Sequence, residues 1–284
     1  MTTTALETKN KPGVVYIKPS KGWVSLRLID LWEYRELIYF LTWRDIKVRY
    51  KQSVLGIMWA VINPFMSMVV YTIFFGTLAK IPSDGVPYPI FSYTALLPWI
   101  LFSSALSVAS RSMVSSGNMI SKVYFPRMIV PLASVMSSVV DFFIAFIILI
   151  GMMIFYQITP TLAILWLPPL ILLALISALG VGFWFSALMV RYRDVGYLMP
   201  FVTELWKFLT PVVYPASMIP EKWRLLYALN PMTGVVEGFR YALLGTTQSI
   251  SLPMILVSSG IAILVLISGL FYFRRMEKQF ADMI

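Results

Sequence analysis

From residue 54 onward the chain is written in long apolar runs, broken at a few places by short clusters of charge. Residues 54–79, 90–110, 128–156, 162–190, 196–214 and 251–273 are predominantly apolar, and each is about as long as the roughly 20 residues a helix needs to cross a bilayer. The pattern predicts an all-α integral membrane protein with six transmembrane helices. An even number of spans puts both termini on one side.

The stretch before the first run has a different pattern. In residues 31–51, LWEYRELIYFLTWRDIKVRYK, the side chains sort at helical spacing. Glu33, Glu36, Arg44, Lys47 and Lys51 share one narrow arc, Tyr34, Ile38 and Leu41 a second, and Trp32, Tyr39, Trp43 and Tyr50 a flank. Aromatic rings beside cationic heads suit the headgroup layer, so an N-terminal interfacial amphipathic helix is predicted. It runs into the first span through WRDIKVRYKQSVLGIMWAVINP, residues 43–64, and after Lys51 no charge appears until Lys80. This junction predicts a rigid elbow. Pro64 cannot donate to the carbonyl of Ala60, which predicts a kink.

The breaks between spans carry further signals. The lower half of the second span is rich in Ser and Ala, and Ala178, Gly182 and Ser186 recur every four residues in the fourth; both patterns predict close helix approach. In residues 115–127, SSGNMISKVYFPR, Gly117 and Asn118 interrupt the span and MISKVYF predicts a short helix stopped by Pro126. Asp141 is alone in the third span, where burial would keep it protonated. Asp194 is expected to cap the fifth span. Glu204 and Lys207, three apart, are expected to pair on one face, either lining a wet cavity or as a structural pair. Residues 216–245 carry Glu221, Lys222, Arg224, Glu237 and Arg240, too much charge for an ordinary span. Pro220 and Pro231 suit first helical turns, Asn230 a cap and Gly245 a stop, so two short re-entrant helices are expected before the last span.

Composition narrows the class. Hydrophobic residues make up 59% and charged residues 13%, against about 25% charge in a soluble domain. There is no cysteine and no histidine, which removes thiolate chemistry and the commonest general base and metal ligand. The net charge of +10 does not call for nucleic acid: ten Lys and Arg lie before residue 52, three between Arg111 and Arg127, two at Arg191 and Arg193, and three after Phe273. Each group flanks a span, as the positive-inside rule requires, so both termini are expected in the cytoplasm. Residues 1–30 read as a mostly irregular cytoplasmic tail, whose start has no apolar core and reads as no signal peptide. No GxxxxGKS or GxxxxGKT loop is present, so this chain binds no nucleotide through that motif.

RYKQSVLGIMWAVINP, NMISKVYFPR, RYRDV and NPMTGVVEGFRYALLG, in that order among six spans, resemble the membrane subunit of type-two ABC exporters. The nearest branch is the O-antigen polysaccharide exporters (Wzm-like permeases), with capsular and teichoic-acid permeases close by. The resemblance runs from residue 31 onward and leaves the tail uncovered. It implies a permease domain over 31–284, a homodimer, and two nucleotide-binding ATPase subunits that hold the ATP and magnesium, with no cofactor on this chain. The implied cargo is a glycan on undecaprenyl diphosphate, crossing the plasma (inner) membrane of a bacterium. It further implies that 115–127 is a cytoplasmic coupling loop, with Asn118, Met119, Ile120, Lys122, Val123, Tyr124, Phe125 and Arg127 meeting the ATPase. Arg44 would add a second contact or a lipid-headgroup site. Residues 216–245 would form an external gate, with Pro220, Asn230 and Pro231 shaping it and Glu237 and Arg240 near the outer mouth. Sugar rings present apolar C–H faces that suit aromatic walls. Trp59, Tyr71, Phe75, Trp99, Phe102, Trp206 and Tyr214 are the expected channel rings, the alternative for each being a place against lipid.

Two other classes compete. A membrane enzyme acting on lipid-linked sugars needs an exposed acidic metal site, and the external loops offer only Asp84, Glu221 and Glu237. An ion-coupled transporter favours repeated broken spans, and no internal repeat is visible.

Overall fold

The computed structural model describes residues 28–51, 56–246, 251–277 and 280; the expected tail up to residue 27 and the joint of the elbow at 52–55 lie outside these. Every regular element among the described residues is a helix. The chain begins with α1 (Leu28–Glu33) and α2 (Arg35–Lys51). Leu41 of α2 is buried, while Glu36, Arg44 and Lys47 of the charged arc and the rings of Tyr39 and Trp43 stay exposed.

α3 (Met58–Tyr71) carries Pro64 inside it and continues into a wider π-helical stretch, Thr72–Leu78. Helix runs through the proline, and a departure from α geometry comes at 72–78. Gly76 lies there against Tyr88, so closely that an added Cβ would stand 2.8 Å from the ring.

The centre of the bundle is α4 (Tyr88–Ser115), which continues after one residue into the single turn α5 (Gly117–Ile120). α4 is polar for a central helix, and it hides that polarity in its own backbone. The hydroxyls of Thr94, Ser110 and Ser112 donate to the carbonyls of Ile90, Leu106 and Ala109 at 2.8, 2.7 and 2.7 Å. Around it stand α6 (Ile129–Phe155) and α7 (Leu167–Arg191, entered through the 3-10 turn Leu162–Trp166). Lipid tails are as apolar as the helices, so association rests on backbone approach at small residues. Ala178, Gly182 and Ser186 are all buried, and a Cβ on Gly182 would meet that of Ala109 on α4 at 2.7 Å.

α8 (Val195–Phe208) follows the Arg191–Asp194 turn. Asp194 stands at its N-cap, but the side chain makes no cap hydrogen bond; its backbone carbonyl accepts from Tyr197 N at 3.0 Å instead. At 14 residues α8 spans about 21 Å, short of the roughly 30 Å hydrocarbon core. The chain then runs without regular helix from 209 to 215, and Pro211 explains the stop, because a proline disfavours helix in the residue before it.

The charged stretch that follows folds as two short helices, α9 (Glu221–Tyr227) and α10 (Pro231–Leu244). Asn230 caps α10 by accepting from Met232 N at 3.1 Å, and Gly245 ends it at φ +70°, the left-handed conformation glycine tolerates. α11 (Leu252–Met276) returns across the bundle against α7, where an added Cβ on Gly269 would stand 2.3 Å from the carbonyl oxygen of Gly180. Among the described residues five helical segments are long and apolar enough to cross a membrane: Met58–Leu78, Tyr88–Ser115, Ile129–Phe155, Leu162–Arg191 and Leu252–Met276.

Candidate functional site

Three regions carry the chemistry. The first joins α2 to α6. Thr42 donates to the carbonyl of Ala133 at 3.2 Å, and Ser134 donates to the Asp45 carboxylate at 3.1 Å. Arg49 forms an ion pair with Asp141 and donates to the Ser137 hydroxyl at 3.2 Å; Tyr50 donates to the same Asp141 carboxylate. Asp141 is therefore not alone: two donors from a helix some ninety residues earlier meet its side chain. Burial, reinforced by that carboxylate, raises the pKa of the Tyr50 phenol above its ordinary value.

Beside this group opens a cavity of 510 Å³ between α3, α4, α6 and α8. Its wall is mostly apolar, with Leu97, Ile100, Phe142 and Met199, but it carries hydroxyls from Ser103, Ser104 and Ser107 of α4, Ser138 of α6 and Thr203 of α8, with Asn63 and Trp59 of α3. Its one charged pair, Arg49–Asp141, is neutralised internally. The volume lies within the ~300–1,000 Å³ of small-ligand sites.

The second region is the loop after α4. Helix covers only Gly117–Ile120, not the whole of MISKVYF, because Ile120 and Phe125 are both drawn into a small core with Leu41, Met113, Phe183 and Phe273. Ile120 is 7% and Phe125 5% exposed, so these two rivet the loop from beneath. Val123, Tyr124, Asn118 and Lys122 face outward, Tyr124 at 84% exposure. Arg127 does not join that rim: it donates to the carbonyl of Glu277 at 2.5 Å, beyond the end of α11. Arg44 of α2 reaches the sulfur of half-buried Met119 at 3.7 Å, which brings α2 and the loop together.

The third region is the non-helical stretch after α8. Backbone outside a helix is tolerated at membrane depth only where protein or water satisfies it. Side chains do so here. Arg240 donates to the carbonyls of Val212 at 2.9 Å and Tyr214 at 3.3 Å, Tyr88 to that of Val213 at 2.6 Å, and Asn230 to that of Leu209 at 3.2 Å. Glu237 accepts from Ala216 N at 3.2 Å and from Arg240 at 2.7 Å. The Arg240 guanidinium lies 3.7 Å from the centre of the Phe91 ring, and both charged side chains are fully buried. Glu237 and Arg240 thus sit inside the protomer, not at an open mouth as expected. Pro220, at the N-cap of α9, is exposed, and Pro231 is buried at the start of α10.

The expected channel rings divide. Trp99 at 4% and Phe102 at 0% exposure belong to the protomer's own core, and Phe102 stands edge-on to Trp206 at 5.0 Å. Trp206 donates to Asn230 at 2.9 Å, and the Tyr214 hydroxyl is shared with that of Tyr227. Trp59, Tyr71 and Phe75 of the first span are at least partly exposed, with the last two rings edge-to-face at 5.7 Å.

Residues 36–244 match the family described as the ABC-2 type transporter. The chain belongs to that family. It is similar to the O-antigen export system permease protein RfbA of Klebsiella pneumoniae, 30% identical over 250 residues, which are 88% of this chain and 95% of that protein. Against the protein of the same name from Myxococcus xanthus it is 29% identical over 264 residues, 91% of this chain and all of that one. The polysialic acid transport protein KpsM of Escherichia coli is more distant, 22% identical over 209 residues, 71% of this chain and 78% of that one.

As an ABC-2 membrane component the chain is a multi-pass transport subunit, not an enzyme, and the nucleotide belongs to a separate partner subunit. What the sequence reading missed in this transporter is the pairing of Arg49 and Tyr50 with Asp141 and the serine wall of the cavity. The serines were legible as small residues at 103, 104 and 107; that they border a cavity was not.

Proposed function

We propose that this chain is the permease subunit of an ATP-driven exporter that moves a lipid-linked polysaccharide of the O-antigen kind across the bacterial inner membrane. Two copies work with two ATPase subunits that hold ATP and magnesium, and both termini lie in the cytoplasm. The fifth crossing is α8 together with the side-chain-supported stretch after it, and α9 and α10 close the outer end. The glycan arrives on an undecaprenyl-diphosphate carrier.

The observation that carries this reading is the 510 Å³ cavity between α3 and α8, where the hydroxyls of Ser103, Ser104, Ser107, Ser138 and Thr203 and the Trp59 indole stand among apolar side chains and the one charged pair is neutralised internally. Hydroxyls both donate and accept, so they exchange partners along a polyol chain, while conduction demands that no single site bind too tightly. The likeness to the permeases named for O-antigen export supports the cargo class, and the weaker likeness to KpsM keeps a capsular polymer as the second reading. In this mechanism closure of the ATPases pushes on Val123 and Tyr124. Ile120 and Phe125 pass the movement to the core beneath, and Arg44 at Met119 passes it to α2, whose Arg49–Asp141 pair ties it to α6.

The test is the location of the glycan. In cells lacking this chain the lipid-linked polymer should accumulate at the cytoplasmic face, bound by antibody only after lysis. Normal amounts on intact cells would refute the reading. Because the native chain has no cysteine, single cysteines report topology cleanly. An impermeant reagent outside should label Asp84→Cys and spare Lys122→Cys.

A further inference from the structure

Hydrocarbon offers a polar side chain no partner, so in a membrane span such a group bonds to its own backbone, to another helix or to whatever fills a cavity. Thr72 and Thr203 take the first course, donating to the carbonyls of Met68 and Met199 at 2.8 and 2.9 Å. Asn63 does not. It stands in α3, within the apolar segment Met58–Leu78, its residue is exposed, and its amide has no hydrogen-bond partner among the described residues. A side-chain amide carries two donors and an oxygen with two acceptor sites. Asn63 brings all of them, unengaged, to the wall of the 510 Å³ cavity.

Two other groups at the same cavity share this property. Trp59 lies four residues earlier on α3, so it and Asn63 are neighbours on one helix face. Its ring is 55% exposed and its N–H has no partner among the described residues. From α4, Ser107 adds a hydroxyl in the same condition. The cavity thus offers a broad apolar ring beside open donors and acceptors. A pyranose matches that combination, with C–H groups on its faces and hydroxyls around its rim. None of the three side chains is charged, and hydrogen bonds between neutral groups are about half as strong as charge-assisted ones. Such a site holds a sugar without trapping the chain.

We propose that Trp59, Asn63 and Ser107 form a subsite for one uncharged pyranose ring of the cargo, the indole against a C–H face and the Asn63 amide on adjacent hydroxyls. The proposal rests on the cavity being the glycan path, and it adds to that reading a recognition residue, Asn63, and the kind of sugar it takes.

The test uses the full permease with its ATPase in native membranes supplied with ATP. Ser107→Cys gives the permease a single thiol on the cavity wall, since the native chain has none. Its reaction with methyl methanethiosulfonate, small and uncharged, is timed in membranes from cells that make the lipid-linked polymer and from cells blocked in its synthesis. The polymer should slow the reaction at least about threefold, the fall that goes with a site filled about two-thirds of the time. Asn63→Leu and Trp59→Leu should each bring that factor close to one, while Trp59→Phe, which keeps a ring, should retain it. The amount of assembled complex should not fall in Asn63→Leu, because the amide has no bond within the chain to lose. A fall would show that a second copy satisfies the amide, and would overturn the proposal. Thr203→Cys, on the same wall, replaces Ser107→Cys if that variant fails to assemble. No reaction at either position, or equal rates with and without the polymer, would overturn the cavity as the path and the subsite with it, leaving export itself to the antibody assay above. Slowing that survives both Asn63→Leu and Trp59→Leu would leave the path standing and refute the subsite.

Discussion

Glu204–Lys207 on α8 and Glu237–Arg240 on α10 are written alike in the sequence, an acid and then a base three residues on, within largely apolar helices. The structure treats them oppositely. Glu237–Arg240 is buried to the last atom and carries the non-helical backbone from Val212 to Ala216. Glu204–Lys207 lies on a helix surface with its acid outward. The choice of base follows the task. A guanidinium is a planar fork that serves Val212, Tyr214 and Glu237 at once, whereas an ammonium is a compact charge on a flexible stem. One pair holds a shape, and the other leaves its acid on the surface of α8.

Removing the buried pair's base should have the largest effect. Arg240→Met leaves a carboxylate in a dry site and strips two carbonyls of their donor, at a cost of about 3–5 kcal/mol. Yield in the membrane and thermal unfolding in detergent should both fall. Adding Glu237→Leu should restore part of the loss, because an apolar pair of similar volume has no charge left to solvate. Wild-type stability in Arg240→Met alone would erase the difference between the two pairs.

The loop after α4 gives the same contrast between neighbours. Phe125→Ala empties a site only 5% exposed and should cost about 3 kcal/mol. Tyr124→Ala, at 84% exposure, should stay within about 0.5 kcal/mol of the parent and yet lower the amount of ATPase recovered with the permease. An unfolded Tyr124→Ala, or one that recovers the ATPase in full, would remove the loop's outer face from the coupling role.

Between these extremes stands Arg49–Asp141, half-buried and made across 92 residues of sequence. A double-mutant cycle with Arg49→Ala and Asp141→Ala should show a coupling of about 1–3 kcal/mol in thermal unfolding. Additive losses would mean that the two side chains are held by their other neighbours and that α2 is not tied to α6 by charge.

These sites also separate what was legible in the sequence from what was not. Local grammar was legible: Asn230 before Pro231, Gly245 at the stop, and the four-residue recurrence of Ala178, Gly182 and Ser186 each fix geometry within a turn or two. The helical membrane class was legible from the length of the apolar runs. Orientation was not. In a soluble helix polar residues mark the outer face, but a helix that is apolar all round gives no such mark. Trp59 and Trp99 look equivalent in sequence, and one is half exposed while the other is in the core. Partners were not legible either. Nothing near Asp141 announces Arg49, and nothing near residues 209–216 announces that Arg240 will support their carbonyls, because both contacts form only when distant helices meet.

The smallest expected change in stability belongs to the outward pair, and it sharpens the opening contrast most. Glu204→Gln keeps the side-chain volume and removes one charge from a carboxylate 63% exposed, whose partner is on the same helix. Exposed pairs of this kind contribute roughly 0.2–1 kcal/mol. For a chain of this size that moves the unfolding midpoint by no more than about 4 °C. Lys207→Met should cost somewhat more, because the ammonium is the better covered partner and its stem packs near Tyr71. If Glu204→Gln proved as damaging as Arg240→Met, Glu204 would have to be covered in the assembled protein by something this single chain does not supply, a second copy above all. The two pairs would then both be structural rivets, one within the protomer and one between protomers, and the exposed face of α8 with Phe201 and Phe208 would be a contact surface between copies.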